Sequence, residues 1–169
     1  MRQGPSCRLD RQIDLSTHGT ESRLRAAITV AAESADFGRA SAWMADIGRS
    51  NGMPSDEVAR LDICMNEALG NLLAHGKLPT TGWNVDIRLE FERQGAANTA
   101  TLTVIDDCKP FNPLAHVTKP PPLRIEDAEP GGLGIAMMRI YADEIAYQSF
   151  EAHNELAFTV RWLDSKQTS

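Results

Sequence analysis

The chain has 169 residues, enough for one compact domain with a real core and short for two. Acidic residues outnumber basic ones 23 to 17, the pI is near 5.2, and no block of Lys and Arg could track a phosphate backbone, so direct nucleic-acid binding is not expected. Cys7, Cys64 and Cys108 form no CxxC pair, no histidines have zinc-finger spacing and no apolar run approaches a membrane span, which points to a cytoplasmic protein without a membrane segment.

In chain order, residues 1–23 are polar and aperiodic and read as a flexible arm. "RLRAAITVAA" alternates as a strand does. "ESADFGRASAWMADIGRSNG" spaces Phe37, Ala40, Trp43, Met44 and Ile47 as one helix face before stopping at Asn51-Gly52. If Trp43 or Met44 were exposed, this helix would be a surface for self-association or for a partner. "MPSDEVARLDICMNEALGNLLAHG" is a second helix, with Ser55 as N-cap, Asp56 and Glu57 in its first turn and Gly76 as its stop.

The period then changes to two. "WNVDIRLEFER" and "NTATLTVIDD" are half-buried strands joined through "QGAAN". The proline-rich stretch 109–130 is a loop, "GGLGIAMMRIYADE" opens a helix behind a glycine cluster, and "EIAYQSFE" and "ELAFTVRWL" are strands around a turn at His153-Asn154. Strands in adjacent hairpins and grouped helices predict an α+β fold, a two-layer sandwich with helices on one face of a mostly antiparallel sheet.

Three segments carry chemistry. In "NEALGNLLAHG", Glu67, Asn71 and His75 recur every four residues and form a polar stripe on a helix otherwise rich in Leu, Met and Ala. "DDCKPFNP" ends a strand with two carboxylates. "GGLG" places glycines ahead of a helix, where backbone N–H groups can approach a phosphate. Singly each has a plain reading as a solvated helix face, a polar strand exit and a helix start. In this order, with a proline-rich loop between the second and third, they fit a nucleotide site in which Asn71 supplies an oxygen to Mg²⁺. His75 either complements the helix C-terminus or takes part in the chemistry.

These residues resemble the GHKL, or Bergerat-fold, ATP-binding proteins, and among them the anti-sigma factor serine kinases of bacterial partner switching. "NEALGNLLAHG" is similar to the family's N-box, which implies Glu67 as catalytic base and Asn71 as Mg²⁺ ligand. "DDCKPFNP" is similar to the first glycine box, D-x-G-x-P-F-[DN]-P, which gives Asp106 the adenine amino group. Cys108 stands where that box has glycine. Cys108 and Phe111 in this box, and Gly132, Leu133 and Gly134 in the second, fall at nucleotide-contacting positions, and Asp143 and Tyr147 match residues common in the family.

The resemblance implies a kinase domain over residues 24–165, with 109–130 as ATP lid and 166–169 as tail. It further implies ATP and Mg²⁺ as cofactors, sequestration of a sigma factor or similar target, phosphorylation of a serine on a STAS-type antagonist, and a homodimer. The alternatives are a regulator of the same fold with weak or no kinase activity, and a histidine kinase catalytic domain. At Cys108 three readings stand: a turn that tolerates a small side chain, a side chain that crowds the nucleotide, and a redox thiol activated by Lys109.

Overall fold

The structure, a computed structural model, describes residues 14–18, 21–31, 34–75, 83–110, 112–115 and 133–164. Six strands, β1 (Asp14–His18), β2 (Glu21–Ala31), β3 (Asn84–Gln94), β4 (Ala97–Asp106), β5 (Glu144–Ser149) and β6 (Asn154–Leu163), form one sheet in the order β1-β2-β3-β4-β6-β5, every pairing antiparallel. Helices α1 (Ser34–Ser50), α2 (Ser55–His75) and α3 (Leu133–Tyr141) cover one face. This is the two-layer α+β sandwich that the hairpin grouping predicts.

The alternation in the strands decides which face is covered. Ile28, Val30, Val85, Ile87, Leu89, Leu102, Val104, Phe158 and Val160 are buried against Met44, Leu61, Met65, Leu69 and Met138 of the helices. The opposite phase carries cross-strand polar pairs: Arg25 meets Glu90 at 2.5 Å, Arg23 meets Glu92 at 2.9 Å and the Thr29 hydroxyl donates to Asp86 at 2.6 Å. Exposed pairs of this kind contribute at most about 1 kcal/mol each, so the sheet is held by its inner face.

Several boundaries differ from expectation. Residues 14–18 and 21–23, expected within the arm, are strand, because β1 pairs backbone to backbone with β2; five residues with one apolar side chain give no alternation to read. The first α2 bond runs from the Val58 N–H to the Pro54 carbonyl, so Pro54 takes the N-cap place expected of Ser55. Pro113–Ala115 closes a 3₁₀ turn inside the stretch expected to lack regular structure, where the Asn112 side chain accepts from the Leu114 N–H at 2.8 Å. Asn154 belongs to β6; the turn before it closes between Phe150 and His153.

The end of α1 follows the sequence. Gly52 takes φ 72°, and the N–H groups of Gly52 and Met53 bond back to Arg49 and Gly48, a glycine-dependent helix stop. Trp43 and Met44 are buried, so they are core and offer no surface for self-association.

Candidate functional site

An open cleft of about 520 Å³, counting the solvent at its mouth, lies between the C-terminal half of α2 and the ends of β4 and β6. Its exposed lining is mainly apolar, from Ala68, Leu72, Val104, Pro113 and Leu156, with Asn71, His75, Asp106, Lys109, Tyr147 and Asn154 supplying polar groups, a composition suited to a flat heterocycle with a few polar atoms. Two residues of the α2 stripe, Asn71 and His75, line this cleft. Glu67 lies one turn back, beside α3. Asn66, its neighbour, faces α1 instead, donating to Ser41 at 3.2 Å and to the Asp62 carbonyl at 2.8 Å.

Gly134 closes the space next to Glu67. A Cβ built there would sit 2.5 Å from Glu67 Oε2 and 3.8 Å from the Asn71 amide nitrogen, closer to the carboxylate than real Cβ atoms come. Any side chain at 134 would displace the Glu67 carboxylate from its place beside the first turn of α3. Asn71 therefore belongs both to the cleft and to the Glu67–Gly134 contact.

Asp106 terminates β4 with its side chain in the inward phase. Its Oδ1 accepts the Cys108 backbone N–H at 2.9 Å, which folds the chain into a tight turn, and an Asn154 amide N–H at 3.2 Å. Asn154 is 3% exposed and donates as well to the Cys108 carbonyl at 2.9 Å, while its Oδ1 accepts the Tyr147 hydroxyl at 3.0 Å. The strand pattern of "EIAYQSFE" and "ELAFTVRWL" predicts Asn154 in the turn between them. Its signal was available: counting by two through Asn154, Leu156, Phe158 and Val160, a polar side chain occupies an inward position beside Asp106.

Asp107 has a different task, accepting the Trp83 indole N–H. Asp143 likewise does not line the cleft. Its Oδ1 pairs with Arg60 at 2.5 Å and its Oδ2 accepts the Arg161 backbone N–H at 2.7 Å. Cys108 lines the cleft beside Asp106, and burial, then the negative charge and hydrogen bonding of Asp106, push its thiol up to about 12. A thiol held protonated at neutral pH does not fit the redox reading.

Leu133 is exposed at the start of α3. Phe111, Gly132 and the greater part of 109–130 lie outside the described residues, as do His116 and Gly76. Among the described residues no cluster of three acidic, His or Cys side chains could cage a metal, and no helix is long and apolar enough to cross a membrane.

Comparison with known proteins bears on the same elements. The profile of the histidine kinase-like ATPase domain matches residues 30–160, from the end of β2 to β6. The chain is also 27% identical over 99 residues to the serine/threonine-protein kinase BtrW of Bordetella bronchiseptica, an alignment that takes in 59% of this chain and 67% of that protein. Since the match runs through every element that builds the cleft, the chain belongs to the family of histidine kinase-like ATPase domains, and its sandwich is the GHKL, or Bergerat, fold.

Proposed function

We propose that the protein is an ATP-dependent serine/threonine protein kinase of the partner-switching type, which phosphorylates a serine on a STAS-type antagonist and sequesters a sigma factor or similar regulator, as a homodimer. The observation that carries this reading is the double membership of Asn71, which joins the cleft lined by Asp106 to the contact between Glu67 and Gly134. One end suits a purine, since the lining is apolar and Asp106 offers a carboxylate to an exocyclic amine. The other end suits phosphates, since Gly134 sits in the first turn of α3, at a helix N-terminus, beside the Asn71 amide. The two ends are the parts that phosphoryl transfer requires, which is mostly positioning and charge neutralisation.

Mg²⁺ fits the same donor set. It takes oxygen ligands and keeps water and substrate phosphates in its shell, so with the phosphates present the Asn71 amide oxygen would serve as its protein anchor. Bound there, it would neutralise phosphate charge. Glu67, adjacent to Gly134, would take the proton from the attacking serine hydroxyl. The name of BtrW supports hydroxyl phosphorylation on serine or threonine.

Incubating the full chain with γ-labelled ATP, Mg²⁺ and a STAS-type antagonist tests the reading, with label expected on an antagonist serine. Cys108 in place of the family's glycine favours a second reading, a regulator that binds the antagonist without phosphorylating it. A stable complex without label would support that one.

A further inference from the structure

Helices α2 and α3 run antiparallel, and three contacts step along their interface. At one end Gly134 abuts Glu67; in the middle Cys64 Sγ lies 3.8 Å from the Met138 carbonyl; at the far end Arg60 Nε donates to the Tyr141 carbonyl at 2.7 Å. Glu67 is seven positions along from Arg60, and Tyr141 seven along from Gly134. At 1.5 Å of rise per residue both intervals are about 10 Å, so a slip of one helix at the Arg60 end appears undiminished at Glu67.

We propose that Arg60 and Asp143 form a clamp that sets the axial register of α3 on α2, and that both are positioning residues for phosphoryl transfer; the transfer itself rests on the kinase reading above. Arg60 reaches two acceptors at once, the Tyr141 carbonyl through Nε and Asp143 Oδ1 through Nη2 at 2.5 Å. Asp143 is in turn fixed to β6, its N–H donating to the Thr159 carbonyl at 2.8 Å and its Oδ2 accepting the Arg161 N–H at 2.7 Å. The clamp thus ties the end of α3 to α2 and to the sheet together.

Arg139 also anchors α3, its Nη2 donating to the Leu114 carbonyl at 3.3 Å, but that bond reaches the 3₁₀ turn and not α2; the remaining contacts with α2 are less directional. Ile135 and Met138 bury apolar surface, which holds α3 down but is non-directional, and a thiol at 3.8 Å is a weak donor. With nine residues α3 is too short to be stable alone, so side contacts determine its place. The fork geometry also explains why arginine stands here, because a lysine ammonium would satisfy one acceptor at a time.

The test uses the ¹⁵N-labelled full chain and a double-mutant cycle. Glu67→Gln should move the Gly134 amide resonance in the wild-type background and move it far less in an Arg60→Ala background. In the transfer assay Arg60→Ala should lower the rate at saturating ATP at least about tenfold, the scale of a displacement of less than 1 Å, with KM for ATP little changed and Arg60→Lys intermediate. An equal resonance shift in both backgrounds, or a loss confined to KM, would overturn the clamp. Should Arg60→Ala not fold, Asp143→Asn is read by the same two criteria. If the wild type transfers no phosphate, the kinase reading fails while the resonance cycle still decides the register.

Discussion

The side-chain amide of Asn154 reaches from the first residue of β6 to Asp106 at the end of β4, with its nitrogen 3.2 Å from Oδ1. The carboxylate at the apolar end of the cleft is thereby held in one rotamer by a buried neighbour that is itself held by Tyr147. Replacing Asn154 with leucine leaves the Tyr147 hydroxyl and the Cys108 carbonyl without their partner, at a cost of about 1–3 kcal/mol in stability. Denaturant melts should show that loss, and calorimetry should show a weaker ATP site. Asn154→Asp should weaken ATP binding further, since it sets a second carboxylate against Asp106. Unchanged affinity in both variants would remove Asn154 from the site.

Gly134→Ala separates fold from function. Alanine is the better helix former by about 1 kcal/mol, and the atom it meets is the far end of the flexible Glu67 side chain. Stability should therefore hold or rise, while phosphoryl transfer falls about 10²-fold as the carboxylate is pushed aside. A variant that melts early yet retains its rate would contradict this account.

Strands β2 to β6, the helices and the Asn51-Gly52 stop were legible because alternation, helical spacing and glycine chemistry are local. The stripe in α2 was legible in part: Glu67, Asn71 and His75 share a face, but only the packing of α3 sends Glu67 toward Gly134 and leaves His75 at the cleft. Arg60 was not legible. Its two hydrogen-bond acceptors lie 81 and 83 residues away, and the i,i+3 pairing with Glu57 that "EVARLD" shows, at 3.9 Å, is that of an ordinary solvated helix arginine. β1 was missed because an edge strand is fixed by backbone pairing, which leaves little trace in side-chain pattern.

Cys108 and Cys64 make a prediction about pH. Burial pushes both thiols up to about 12, with Asp106 adding to the effect at Cys108. An unfolded cysteine ionises near 8.5, so above that pH the unfolded chain binds fewer protons than the folded one. The stability these thiols contribute is complete below about pH 8.5 and is lost progressively as pH rises toward about 12. Denaturant midpoints should fall across that window, and less steeply in Cys108→Ser. A slope unaltered by the substitution would show that Cys108 ionises alike in both states.

Asn71→Ala should leave ATP binding measurable without Mg²⁺ and remove most of the gain that Mg²⁺ gives the wild type. Titrations with and without the ion check this. An undiminished Mg²⁺ effect would take Asn71 out of the metal's shell.

The central claim is that Glu67 does chemistry at a site that other residues bind. Measuring Glu67→Gln beside the wild type tests it most directly, with ATP affinity by calorimetry and the single-turnover rate of phosphate transfer to the antagonist. Affinity should stay within a few fold while the rate falls by about 10² or more, the scale of a positioned base. Equal losses in affinity and rate would contradict the account and make Glu67 a structural residue.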